Sequence, residues 1–304
     1  MVVRDKPGIL RLFFILQGSI VPAIAPKLLL IGALSTAVAW AAHRHPGLFA
    51  WVPLTPFTLL GLSLSIFLGF RNNACYDRWW EARRLWGQLI HELRSFARVT
   101  NTLFVAEPET ARRLVRRAVA FPHALAARLR GEDAVAAARP WVSAEESMAL
   151  ALRRNPANAL VDLLGADIAG ALRRGAIGEM LYPVFDARLS AIAGIQAGCE
   201  RILSTPLPFA YSLLLHRTAF LFCGLLPFAL VDALGWFTPL ATAIIAYAFF
   251  GLDALGDELE EPFGHTHNDL PLQAMARTIQ IDLCDSLGEP DLPAPLVPVR
   301  HILS

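Results

Sequence analysis

Val52–Phe70 reads VPLTPFTLLGLSLSIFLGF and continues without a terminator through Arg71, Tyr76, Arg78, Trp79, Trp80, Glu81 and Arg84, meeting no Pro or Gly before Gly87. The first part holds no Lys, Arg, Asp or Glu and is close to the roughly 20 apolar residues that a membrane-crossing helix needs. The second part interleaves Arg and Glu with Trp, which suits an interface and then water. One long helix is expected to begin in lipid and to end outside it. Within it, Leu62, Ile66 and Phe70 recur at i, i+4 and i+8, so they stack on one face about 6 Å apart along the axis. A second stripe of Gly61, Ser65 and Gly69 has the same spacing, and its small side chains admit a close neighbouring helix. Taken alone, the large stripe fits either a pore lining or a face turned to lipid.

Outward from this stretch, Leu28–Ala42, Thr218–Val231 and Trp236–Leu252 are also free of Lys, Arg, Asp and Glu. With 55% hydrophobic residues and a mean hydropathy of +0.46, the chain is too apolar for an ordinary water-soluble protein of 304 residues. The expected class is all-α: a polytopic helical membrane protein with about four membrane segments and a helical bundle in water. Five divisions follow. Residues 1–26 hold an amphipathic segment, Gly8–Pro26, lying at the interface. Residues 27–97 form a first membrane hairpin that starts near Lys27 and turns at His43–Gly47. Residues 98–205 form the bundle, with breaks near Pro108, Gly131–Pro140, Pro156 and Gly175. Residues 206–252 form a second hairpin with its turn at Asp232–Gly235 and a bend or break at Gly224 and Pro227. Residues 253–304 end in a Pro-rich tail, extended or disordered from Glu289. Arg4, Lys6, Arg11, Lys27, Arg71, Arg78, Arg83 and Arg84 flank one side of the spans and only Arg44 lies in the hairpin turns, which puts both termini in the cytoplasm.

A formal net charge of +1 argues against a general polyanion-binding surface, so no nucleic-acid partner is expected. The four cysteines are too scattered for a zinc or dithiol motif and read as reduced and structural. No phosphate loop, nucleophile elbow or helical His-Glu-x-x-His pair is present, so no enzyme and no cofactor are expected. His216 and Arg217 open an apolar run. They are expected at the interface, bonded to the Trp79/Glu81 region or to lipid headgroups.

Three stretches resemble the bestrophin family, specifically its bacterial members. They are Ser65–Asn72 running into Tyr76–Arg83, then Thr205–Tyr211 with His216-Arg217, then Glu260–Gly264 with Asn268–Leu272. Their order and spacing match over nearly the whole chain. The resemblance implies a homopentamer in the bacterial inner membrane, with one axial pore for small inorganic ions. It implies a hydrophobic neck at Leu62, Ile66 and Phe70 and a cytoplasmic aperture at Met180. Eukaryotic relatives are anion channels with more aromatic necks, and the aliphatic Leu62 and Ile66 shift the expectation here to monovalent cations, with a chloride channel as the alternative. In those relatives an acidic run after Pro-Phe-Gly clasps calcium. Here His265, Thr266, His267 and Asn268 replace it and leave only Asp269, too few oxygens for calcium, so no metal site is assigned. The rival from another class is a non-conducting membrane transporter or scaffold.

Overall fold

The computed structural model describes residues 1–4, 8 and 15–304. Its α-helices are α1 Val21–Arg44, α2 Leu54–Leu103, α3 Pro108–Leu129, α4 Ala134–Ala138, α5 Ala144–Ala151, α6 Pro156–Arg173, α7 Tyr182–Ser204, α8 Phe209–Leu234, α9 Thr238–Glu260 and α10 Leu272–Ser286. No strand occurs among the described residues. Two compact units emerge: one takes the described residues of Asp5–Trp79 with Pro206–Glu261, the other Met1–Arg4, Trp80–Thr205 and Pro262–Ser304.

The first unit carries the apolar stretches. Val21–Arg44, Leu54–Leu103 and Phe209–Glu260 are helical, long and apolar enough to cross a membrane. The last of them is divided at Gly235, whose φ of 50° is open to a residue without Cβ. A 3-10 turn at Gly235–Phe237 then lets α9 pack back against α8, and both pack on α1. Their contact is filled by Ile24 and Ile31 of α1, Leu64 and Leu68 of α2, Phe222 of α8 and Phe250 of α9.

Three expectations change here. Helix α8 runs to Leu234, so the turn lies beyond Asp232. It also passes through Gly224 and Pro227 unbroken, because Pro227 and Cys223 are packed in the core, where burial offsets one lost backbone hydrogen bond. Val21–Pro26, expected in the interfacial segment, forms the start of α1, with Pro22 where a helix tolerates it. Residues 5–7 and 9–14, with Lys6, Arg11 and the Leu10, Leu12, Phe13 and Phe14 part of the expected amphipathic run, lie outside the described residues.

The second unit is organised around α3, which packs against α4, α6 and α10. Its alanines at 118, 120, 124, 126 and 127 are buried and permit close helix approach. Starts are set by local chemistry. Asp133 caps α4 by accepting from the Val135 and Ala136 amides at 2.9 and 3.0 Å. Ser143 and Glu146 form a reciprocal capping box at α5, and Asn155 caps α6. Arg117 on α3 is buried and paired with both Glu146 and Asp167. Burial pushes the Glu200 carboxyl of α7 up, but hydrogen bonds from Gln196, Asn155 and Arg128 outweigh it and hold the group below the ordinary carboxylate range. The Pro-rich tail is extended. Ile302 bridges both Val2 and Val299, and the Ala274 amide donates to the Ser304 carbonyl at 2.8 Å.

All four cysteines are buried and free. Outside the apolar helices, burial pushes the Cys199 and Cys284 thiols up to about 12. Thiolate is the reactive form, so neither residue should be alkylated by N-ethylmaleimide at pH 7.5 in the native protein. Peptide mass analysis before and after denaturation checks this, and modification of Cys199 before unfolding would contradict it.

Candidate functional site

The intramolecular packing of α2 is one-sided along its apolar part. Leu64 and Leu68, at 2% and 0% exposure, face α1, α8 and α9. Leu62, Ile66 and Phe70 point elsewhere, at 60%, 48% and 61% exposure, and form one continuous uncharged face. Phe67 flanks that face and meets Phe70 edge-on, with ring centroids 6.4 Å apart. The small stripe does not act as a unit. A Cβ on Gly61 would lie 2.9 Å from Phe222 Cζ of the chain's own α8, whereas Gly69 has open space in front of it. The Ser63 and Ser65 hydroxyls donate to the Leu59 and Gly61 carbonyls at 2.9 and 2.8 Å.

Directly after Phe70 comes Arg71, 1% exposed and held by three carboxylates of α9. Its Nη1 lies 3.2 Å from Asp253 Oδ1, and its Nη2 lies 2.5 Å from Asp257 Oδ1 and 3.4 Å from Glu260 Oε2. Asp253, Asp257 and Glu260 follow at i, i+4 and i+7, which sets them on one face of α9. Asp253 is fully buried and also receives His216 Nδ1 from α8 at 2.6 Å, with Lys27 Nζ from α1 at 3.9 Å. Asp253 is thus a partner of His216 that the sequence reading, which looked to the Trp79/Glu81 region or to lipid headgroups, did not name. The buried carboxylate of Asp253 is the stronger partner for an imidazole. Arg217 on the neighbouring position is exposed.

Residues from the three motif stretches meet around this cluster. The Leu207 amide donates to Glu260 Oε1 at 3.1 Å, Arg78 Nε donates to the Glu260 carbonyl at 2.7 Å, and Tyr211 Oη donates to the Phe67 carbonyl at 2.9 Å. Among the described residues, His216, Asp253 and Asp257 also bring ligand atoms within 4.8 Å of one another. Arg71 and Lys27 already neutralise those carboxylates, which disfavours a further metal cation there.

Met180 belongs to the other unit, on the 3-10 turn Glu179–Leu181, and is 88% exposed. In the loop after Gly264, Asp269 is occupied as an acceptor from the Thr266 amide and hydroxyl at 2.6 and 2.8 Å, and His265 lies 3.5 Å from Glu132. These contacts fix the loop.

The sequence signal for the buried cluster was present. Asp253 ends one apolar stretch and pairs by spacing with Asp257 and Glu260, while Arg71 ends another. What sequence could not supply was their pairing, 182 positions apart.

A model of bacterial and fungal bestrophin proteins matches residues 1–285. The voltage-dependent anion channel-forming protein mll4386 of Mesorhizobium japonicum is 46% identical over 289 residues, covering 95% of this chain and 93% of the relative. The voltage-dependent anion channel-forming protein YneE of Escherichia coli K12 is 40% identical over 301 residues, 99% of each chain. The crystal structure of a bacterial bestrophin homologue from Klebsiella pneumoniae superposes with a TM-score of 0.84 at 38% identity, covering 88% of this chain and all of that one (100%). The helical membrane unit, the motif stretches gathered around Glu260 and these matches along almost the whole sequence have one common explanation: the chain belongs to the bestrophin family, in its bacterial and fungal group.

Proposed function

We propose that this protein is a passive ion channel, built from five copies around an axial pore lined by the Leu62, Ile66 and Phe70 face of α2. The observation that carries this reading is the one-sided burial of α2, which packs Leu64 and Leu68 inside its own chain and leaves the uncharged stripe for another environment. The relatives described as channel-forming support the same assignment. A ring of apolar side chains restricts ions by dewetting, since an ion stripped of water there finds no replacement ligands. The stripe is thus a gate rather than a binding site. Met180 is assigned to a second, shorter constriction on the cytoplasmic side.

In this reading α1, the apolar part of α2, α8 and α9 each cross the bacterial inner membrane once, and both termini lie in the cytoplasm by the positive-inside bias. The permeant ions are small and monovalent, with cations preferred because the neck presents two aliphatic layers rather than aromatic edges. The names of the relatives favour anions, and that is the second reading.

Purified protein in a synthetic bilayer tests the proposal. Stepwise unitary currents are expected, with a reversal potential in asymmetric KCl that lies on the potassium side of zero. A reversal on the chloride side would replace cations by anions. A well-folded, size-verified ring without unitary currents would replace the channel by a transporter or scaffold.

A further inference from the structure

His216 stands where a single proton changes the electrostatics of the whole buried cluster. Its Nδ1 lies 2.6 Å from Asp253 Oδ2, and its Nε2 faces Asp257 Oδ1 at 3.5 Å. A carboxylate only accepts, so the short contact requires the imidazole proton on Nδ1. In the neutral ring, Nε2 then presents a lone pair to Asp257, an unfavourable pairing. A proton on Nε2 reverses it and makes the ring a donor to both carboxylates.

The charges around His216 come from every packed helix. Lys27 approaches from α1, Arg71 from α2 with the buried thiol of Cys75 one turn on, and Asp253 and Asp257 from α9, with Glu260 beside Arg71. Arg78 lies against the Glu260 carbonyl, and Arg217 on α8 is exposed. An imidazolium at His216 would face a carboxylate at each ring nitrogen, Asp253 at Nδ1 and Asp257 at Nε2. Histidine is also the side chain whose charge ordinarily changes between about pH 5 and 8, and His216 is partly exposed, so a proton can reach it.

We infer that His216, set between Asp253 and Asp257, is a proton-binding site through which acidification holds the channel closed. The inference rests on the channel reading above and adds its regulation. The link to the pore is Arg71, which follows Phe70 in sequence and is gripped by the same two aspartates. With His216 protonated, α8 and α9 are tied twice, and the α9 face that holds Arg71 is fixed. The Phe70 layer of the neck is then least able to move. Loss of the proton turns the Nε2 lone pair towards Asp257, breaks the second tie and frees that face.

Unitary currents recorded from pH 8 to pH 5 with chelator present test this. Wild-type open probability should fall by about tenfold as one group titrates across that range. His216→Gln should abolish the fall, and Arg217→Gln should preserve it. Lys27→Gln removes a positive charge beside Asp253 and should move the midpoint to higher pH, a change that a merely structural histidine would not produce. A wild-type profile retained in His216→Gln, or an unmoved midpoint in Lys27→Gln, overturns the inference.

A second measurement does not need conduction. Between pH 8 and 5 the melting temperature of wild type should rise relative to His216→Gln, because a proton held by two carboxylates stabilises the fold on the acid side and stops contributing as it leaves with rising pH. A constant difference across that range overturns the proton site. If the difference appears but no variant conducts at any pH, the proton site stands, and the control of conduction falls together with the channel reading.

Discussion

A pentamer in which Leu62, Ile66 and Phe70 are all replaced by Ala should conduct more and close less often than wild type. Each substitution widens one layer of the stripe, and three successive widened layers favour continuous wetting. The scale is set by the exponential dependence of rate on barrier height, where about 1.4 kcal/mol is already tenfold in flux. Met180→Ala removes only one short ring and should change conductance size or ion preference without keeping the neck open. Open probability and unitary conductance of size-verified pentamers are the measurements. A triple variant that conducts no better than wild type would remove this stripe from the role of limiting constriction.

Arg71→Ala should be among the most destabilising single substitutions in the membrane unit. Arg71 and Asp253 are 1% and 0% exposed, and removing the cation leaves Asp253 buried with only His216 and the more distant Lys27 as charged partners. Breaking such a pair from one side costs about 3–5 kcal/mol, because the remaining charge is stranded in a low-dielectric surrounding. Arg71→Met combined with Asp253→Asn removes both charges of the ion pair that is buried on both sides and should recover part of the loss. The yield of folded protein and its thermal midpoint in detergent give the comparison. Equal midpoints for wild type and Arg71→Ala would show that the pairing contributes nothing to stability.

What sequence revealed and what it hid follow physical lines. Helix starts at Pro108 and Pro156 were legible because proline acts locally, fixing φ and lacking the N–H that a first turn does not use. The uninterrupted α2 was legible because nothing between Phe70 and Gly87 can stop a helix. The break considered at Pro227 does not occur, for the complementary reason. Its local penalty is real, but packing around Cys223 and Pro227, which only the tertiary structure supplies, overrides it. The stripe of Leu62, Ile66 and Phe70 followed from helical periodicity, and its assignment to a pore came from family resemblance. The charge cluster behind Phe70 stayed hidden because Arg71 and Asp253 each look like the end of an apolar run. Only the folded chain shows them as partners. The two glycines of the small stripe were indistinguishable by type, and they differ because Phe222 reaches Gly61 and nothing reaches Gly69.

The hydroxyls of Ser63 and Ser65 flank the exposed face of α2, and each has committed its only hydrogen to a carbonyl of its own helix. A serine in that state turns nothing but oxygen lone pairs outward. Beside a passing ion, such an oxygen can replace a water of a cation's hydration shell but has no donor to offer chloride. Polarity of this kind escapes any count of charged or aromatic residues, and within the pore reading proposed above it favours potassium and sodium over chloride.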